Sequence, residues 1–288
     1  MIEIIWNEAY SPKKVDIIRI SHLEIYGNLD LSKFDALTTI DLHKTGTGNL
    51  DVSGCVLLQT FWCHENRLLS IETADCVSLN HISCFGNMLT TLDVSGSPGI
   101  TEIWCHLNQL EEINTSGLKK LDTFFCGGNR FIKLDLLVHP ALEILHVWQN
   151  PGITSLDLSR NTRLKALNAN EINIDKLDLS NNNELMYLWA AGNNLSEVIL
   201  PPGDNLMYIS MDGNNFTNLS AFESRKNLCL LSIRGSKLDL KSTEINNSIK
   251  AIQAVIDKNE QNPPDGYDPK YTKSLHGFKY DEVEYLSQ

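Results

Sequence analysis

The sequence predicts a solenoid of the α/β type, built around one long parallel sheet with a helix at its C-terminal end. Three observations predict it. A nine-residue motif of the form LxxLx(L/C)xxN recurs eleven times, at intervals of 21 or 22 residues. A second phrase, LDxS, recurs between many of the copies. After the last copy, isoleucines fall at the spacing of an amphipathic helix.

Each nine-residue motif predicts a short strand, because apolar and polar residues alternate at its centre. The copies begin at Val15, Leu37, Leu58, Leu79, Ile100, Leu121, Leu142, Leu164, Leu185, Leu206 and Leu228. In the third copy, LQTFWCHEN, the alternation directs Phe61 and Cys63 into the core. It directs Trp62 and His64 outward. The asparagine at position nine can bond the backbone of successive loops and so form a ladder.

The LDxS phrases predict the return side of each turn, where they supply a second apolar row through residues such as Leu92, Leu156 and Leu177. No copy contains a long helical stretch. The convex side of the solenoid is therefore expected to be extended or 3₁₀-like.

The ends of an open solenoid must be covered. Residues 1–14 are expected to cap the first repeat, residues 15–240 to form the repeats, and residues 241–288 to form a capping helix and a tail. A Ser/Thr start followed by four isoleucines at helical spacing predicts the helix near residues 243–259. Beyond it, Pro-Pro and Asp-Gly break regular structure. The tyrosines of the tail suggest that it folds back onto the body, although a loose tail is the alternative.

The in-phase motifs resemble the leucine-rich repeat family. The resemblance covers roughly residues 15–239 and is closest to the short bacterial type, as in internalin-like and Bacteroidetes surface proteins with LDVSxC repeats. It implies a right-handed superhelix whose concave side is lined by the parallel sheet. It also implies an interaction scaffold rather than an enzyme, because leucine-rich repeats mostly bind proteins.

Composition narrows the classes of partner. The chain has 288 residues, 36 of them acidic and 24 basic, so its formal charge is −12. This balance argues against nucleic acid or an anionic membrane as the main partner. No apolar run approaches a membrane span. The N-terminus lacks the features of a secretory signal, which favours a cytoplasmic location unless a signal was removed from an exported or surface protein. Seven cysteines, an odd number, do not suggest a disulfide framework.

Two Cys-His neighbour pairs, Cys63–His64 and Cys105–His106, invite a catalytic interpretation. Neighbouring residues of a strand point to opposite faces, so the thiol and the imidazole of a pair cannot share a hydrogen bond. Cys63, Cys84, Cys105 and Cys126 share one inward position in consecutive copies and are expected to be small apolar core residues, buried, reduced and unreactive.

No cofactor or catalytic site is expected from the sequence. His43 and His64 share a column on adjacent strands, but two histidines are fewer than the three or four protein ligands that zinc sites use. No acidic residue clearly completes them, so no metal site is predicted. Glycine-rich phosphate loops and paired carboxylates are also missing from the sequence, which leaves a non-catalytic protein as the expectation.

Aromatic and histidine side chains collect at positions three, five and seven of the motif, which point away from the core on the concave side of the predicted solenoid. We call this concave surface the outer face. Exposed aromatic residues in a patch usually mark a binding surface. The predicted binding residues are Trp62, His64, Phe85, Trp104, His106, Phe125, His146, Trp148, Tyr187 and Trp189. We expect the first eight to form a continuous exposed surface.

Two ligand classes fit this surface. A protein could bury its side chains against the aromatic rings, with His and Glu at the rim. A glycan could instead stack sugar rings on tryptophan. The resemblance to leucine-rich repeats favours a protein. If the histidines titrate near their reference pKa of about 6.5, binding should weaken at mildly acidic pH.

Overall fold

A computed structural model describes residues 15–265 as one continuous solenoid with sixteen strands and one helix. Its long sheet has eleven parallel strands. They are β1 (Ile17–Arg19), β3 (Thr39–Asp41), β5 (Thr60–Trp62), β7 (His81–Ser83), β9 (Glu102–Trp104), β11 (Thr123–Phe125), β12 (Ile144–His146), β13 (Ala166–Asn168), β14 (Tyr187–Trp189), β15 (Tyr208–Ser210) and β16 (Leu230–Ser232). Each predicted copy of the motif therefore contributes one strand, in sequence order.

The register of the long sheet is uniform across the repeats. Thr60 pairs with His81, and His81 pairs with Glu102, so position three of one repeat lies beside position three of the next. Positions five and seven also form straight columns, because every strand pair keeps this register. Positions four and six face the core, where Phe61 and Cys63 have no exposed surface.

A ladder of asparagines closes the turn after seven of the eleven strands, where the sequence has asparagine at position nine. Asn108 is typical: its Nδ2 donates to Cys84 O and Cys105 O, both at 3.1 Å, and its Oδ1 accepts from Leu89 N at 3.0 Å. Asn87, Asn129, Asn150 and Asn214 repeat this pattern. The ladder thus pairs backbone groups that would otherwise be buried without partners.

The return side is extended, as expected, and part of it forms two small parallel sheets. The first contains β2 (Gly27–Asp30), β4 (Thr47–Asp51) and β6 (Ser70–Glu72), and the second contains β8 (Thr91–Asp93) and β10 (Glu112–Asn114). In most LDxS phrases the aspartate accepts a hydrogen bond from the serine amide two residues on, as in Asp93 with Ser95 N at 2.9 Å. This contact closes the tight turn of each repeat.

The helix α1 (Thr243–Gln261) covers the end of the last repeat. Ser242 caps its N-terminus, and Ile245 and Ile252 join the solenoid core. Near its C-terminus, Asn259 Nδ2 donates to Lys226 O and Leu228 O of the last repeat. The described part of the chain contains no helix with the length and apolar character of a membrane span. The predicted N-terminal cap, residues 1–14, and the predicted back-folding of the tail, residues 266–288, lie outside the described residues.

Candidate binding surface on the outer face

Column seven of the outer face is a stack of rings. His43, His64, Phe85 and His106 lie on four successive repeats. Their neighbouring centroids are 4.8, 4.4 and 4.5 Å apart, and the rings are within 15° of parallel. This spacing matches the distance between paired strands, so the sheet itself sets the stacking distance. Stacked rings hold one another in fixed orientations.

Trp148 continues column seven by leaning over Gly127 of the preceding repeat. A Cβ atom on Gly127 would lie 2.5 Å from Trp148 Cδ2 and 2.6 Å from Nε1, far inside contact distance. The glycine therefore provides the space that the indole fills. Its neighbour Gly128 has a different role, since its positive φ of 64° is that of a turn residue.

Column five contains a second stack, made by Trp104, Phe125 and His146. Their centroids are 5.5 and 4.4 Å apart, and both pairs are close to parallel. His106 meets Phe125 edge-on at 6.4 Å, which joins this stack to column seven. Eight of the ten predicted binding residues therefore belong to one region, from the third to the seventh repeat.

His81, in column three, lies between two tryptophans. Its ring meets Trp62 edge-on at 6.2 Å and Trp104 at 5.4 Å. Its Nδ1 is 3.3 Å from Glu102 Oε2. His81 and Glu102 are not among the predicted binding residues. Their places in column three, next to the tryptophans of column five, could have identified them from the sequence.

Tyr187 and Trp189 belong to a separate cluster in the ninth and tenth repeats. Their ring centroids are 6.0 Å apart, and the ring centroids of Trp189 and Tyr208 are 5.2 Å apart. The three rings pack on Ala166. Tyr208, which we did not predict as a binding residue, is thus part of this cluster.

The expectation of a continuous exposed surface is wrong for four of its eight residues. Trp62, His64, Trp104 and Phe125 are partly exposed. The exposed fraction falls to between 1% and 8% for Phe85, His106, His146, Trp148, Tyr187 and Trp189. Rings that meet face to face at strand spacing cover one another. The sequence shows which residues share a column, but it does not show how their side chains lean.

The expectation of histidine titration near pH 6.5 is also wrong for three of the predicted residues. Burial lowers the pKa of His64 to about 4, with the neighbouring His43 as a smaller cause. Burial also lowers the pKa of His106 and of His146 to about 3. These imidazoles are neutral at mildly acidic pH, because the charged form is disfavoured away from water.

The cysteines are buried and free, as predicted. Cys63, Cys84, Cys105 and Cys126 have no exposed surface. Burial raises the pKa of all four thiols, that of Cys84 to about 12. His64 points to the other face of its strand, where its Nδ1 lies 3.1 Å from Ser83 Oγ. The Cys63–His64 pair is therefore not a catalytic dyad.

The solenoid fold of this chain is shared with known structures. The chain has the leucine-rich repeat fold. An internalin, InlF from Listeria monocytogenes, is similar with a TM-score of 0.60 at 14% identity, over 84% of this chain and 79% of that one. The functional domain of InlJ from the same species, described as including a cysteine ladder, has a TM-score of 0.51 at 21% identity, over 83% of this chain and 67% of that one.

A plant leucine-rich repeat ectodomain is similar as well. The receptor kinase GASSHO1/SCHENGEN3 from Arabidopsis thaliana, solved in complex with CASPARIAN STRIP INTEGRITY FACTOR 2, gives a TM-score of 0.61 at 15% identity, over 78% of this chain and 33% of that one. No family model and no curated protein matches the sequence. Identities this low show the fold alone, so function must be argued from the outer face.

Proposed function

We propose that this leucine-rich repeat protein is a non-catalytic scaffold that binds a protein ligand on its outer face, between the third and seventh repeats. One observation carries the proposal: Trp62, His64, Trp104 and Phe125 are partly exposed while the rings around them are buried. Fixed aromatic side chains give contact area without a large loss of side-chain entropy on binding. Tryptophan is also among the residues that contribute most to protein interfaces.

The two tryptophans lie on either side of Ser83 in column five. Ser83 pairs with Trp62 on one side and with Trp104 on the other. Two strand spacings place the tryptophan backbones about 10 Å apart. Ser83 is 1% exposed, and the ring of His81 lies edge-on to both tryptophans, so these side chains already pack together. The exposed parts of the two indoles would provide the contact area for an aliphatic or aromatic side chain of a ligand.

Similar structures support a protein as the ligand class. The GASSHO1 ectodomain was solved in complex with CASPARIAN STRIP INTEGRITY FACTOR 2, the plant peptide hormone receptor RGFR1 in complex with RGF2, and a similar chain from Drosophila comes from the complex of Toll with Spatzle. A glycan is the second candidate, because Trp62 and Trp104 flank the polar pair of His81 and Glu102. Tryptophan faces beside hydrogen-bonding groups suit sugar rings. The cytoplasmic location stays a prediction, and it would favour a protein.

The experiment compares the native chain with the double variant Trp62→Ala, Trp104→Ala. Each protein is immobilised and exposed to proteins of the source organism, and the affinity of the captured ligand is then measured with purified components. Truncating a buried interface tryptophan typically costs about 2 kcal/mol, so we expect at least a roughly 30-fold loss of affinity.

The matched control is Leu69→Ala, which removes an apolar residue that is 59% exposed next to the return-side strand β6. It should bind like the native chain. Unchanged affinity in the tryptophan double variant, with its circular dichroism intact, would exclude this surface. A glycan array with the same proteins separates the two ligand classes.

A further inference from the structure

We propose that His22 and His43 form a binding site for a divalent transition-metal ion of the zinc, nickel and copper class, at the N-terminal end of the outer face. The site goes beyond the proposed function and does not depend on it. His22 Nε2 and His43 Nε2 are 3.2 Å apart, and the two rings are nearly perpendicular, at 82°. The two imidazole nitrogens are therefore close enough to share one ion.

The separation of the two nitrogens suits a shared metal ion. A zinc–imidazole bond is about 2.0–2.1 Å long, so two nitrogens bound at angles between 90° and 109° lie about 2.9–3.4 Å apart. The observed 3.2 Å falls inside this range. The same distance also fits a simple hydrogen bond between the two rings, so the groups around them must decide.

The contacts of His43 prepare it as a ligand. Its Nδ1 donates to Asp41 Oδ1 at 2.5 Å, which places the proton on Nδ1 and leaves the lone pair of Nε2 free. Metal-binding histidines commonly donate their second nitrogen to a carboxylate in this way. The face of the His43 ring stacks on the His64 ring, with the two centroids 4.8 Å apart. The ring is therefore fixed in both tautomer and direction.

His22 reaches the site from the turn after the first strand. It has a φ of 61°, and its amide donates to His43 O at 3.1 Å, so the backbone is fixed beside its partner. Its side chain is exposed. Water, or a donor group of a ligand, can therefore occupy the remaining coordination positions.

Two other histidines, His139 and His81, differ from this arrangement. His139 uses both nitrogens, bonding Leu118 O and Thr115 Oγ1. His81 has a carboxylate neighbour, Glu102, but no second imidazole. No cluster of three or more metal-binding side chains occurs in the described residues. The proposed site thus has two protein ligands and open positions, and it should bind metal more weakly than a structural zinc site.

Titration calorimetry of the chelator-treated full chain with Zn²⁺ and with Ni²⁺, in a non-coordinating buffer at neutral pH, tests the proposal. The native chain should bind one ion saturably. His22→Ala and His43→Ala should abolish this binding, and Asp41→Asn should weaken it by about 10–100-fold, the usual effect of removing a partner of a metal-bound histidine.

The matched control is His81→Ala, which removes an outer-face histidine with a carboxylate neighbour. It should bind as the native chain does. Because His22 is exposed, His22→Ala should have the same thermal midpoint as the native chain without metal, and it is the decisive variant. Equal binding by His22→Ala and the native chain, or no saturable binding by the native chain, would show that the two rings only share a hydrogen bond.

Discussion

The outer face and the return side have the same strand spacing, but they differ in how far one residue type recurs along a column of side chains. On the return side, one column reads Asp30, Asp51, Glu72 and Asp93, and most of its aspartates close the same turn. Hydrogen bonds from Ser32 and Ser95 lower the pKa of Asp30 and Asp93, which favours the charged form of these two carboxyl groups. On the outer face, column seven changes from histidine to phenylalanine, glycine and tryptophan within six repeats.

This difference separates structural positions from positions that are free to vary. A residue that recurs at one position in most repeats satisfies a need of the repeat itself, such as closing a turn or pairing buried amides. A position whose residue changes from repeat to repeat is not fixed by the fold. Aromatic and histidine residues concentrate at such positions, which is why we assign binding to the outer face.

The largest expected effect comes from a repeated position. In Asn108→Ala the buried amide of Leu89 loses its partner. Cys84 O and Cys105 O lose one bond each but keep the bonds from Asn87 and Asn129. A buried polar group without a partner costs about 1–3 kcal/mol and each lost carbonyl bond about 0.5–1.5 kcal/mol, so we expect a loss of about 3 kcal/mol in the free energy of unfolding. Urea denaturation measures it.

The return-side comparison for Asn108→Ala is Asp93→Ala, which also removes a repeated turn contact. Asp93 is exposed, and the amide of Ser95 that it bonds can be hydrated instead. A loss of about 1 kcal/mol or less is expected. Equal losses in the two variants would contradict the view that burial makes the asparagine ladder the stronger of the two devices.

The second prediction concerns the contact between Gly127 and Trp148. In Gly127→Ala the new methyl group would overlap the indole, so the ring must move. Overpacking of this kind typically costs about 1–3 kcal/mol. In a Trp148→Leu background the same substitution should cost much less, because the overlapping atoms are gone. An equal cost in both backgrounds, measured by urea denaturation, would mean that the glycine serves only the backbone.

The backbone could be predicted well from the sequence, because it depends on repeated residues. The eleven strands, the inward Cys63 column, the asparagine ladder and the helix α1 all follow from spacing and alternation. The outer face could be predicted only as a set of columns. Whether a ring leans over its neighbour, as Trp148 leans over Gly127, depends on side-chain torsions that no periodic pattern encodes. The approach of His22 to His43 depends on the path of a turn in the same way.

The third prediction turns the low pKa of His106 into a dependence of stability on pH. Burial, and to a smaller extent His146 and His64, lower this pKa to about 3. In the unfolded chain His106 should titrate near 6.5. Below that pH the unfolded state binds a proton that the folded state does not, so stability falls as pH decreases towards 3. The slope should be about 1.4 kcal/mol per pH unit for this residue.

His106→Phe keeps a ring on Phe85 in column seven and removes the titrating group. Urea denaturation between pH 6 and pH 4.5 should therefore show a shallower loss of stability in the variant than in the native chain. Parallel curves would mean that His106 takes up its proton in the folded state. The outer face would then gain charge in mild acid.

The smallest expected effect concerns position eight, where the backbone repeats although the residue varies. Leu107, at this position, has a φ of 55°, and Gly86 and Gly128 in the neighbouring repeats have values of 65° and 64°. A left-handed conformation costs a residue with a Cβ about 1–2 kcal/mol, whereas glycine adopts it freely but loses about 0.5–1 kcal/mol more entropy on folding. Leu107→Gly should therefore be more stable than Leu107→Ala by about 0.5–1 kcal/mol. Both variants remove the same leucine contacts, so their difference in urea denaturation isolates the backbone. A more stable alanine variant would show that the turn relaxes out of the left-handed region. Position eight would then belong with the variable positions of the outer face and not with the repeated positions.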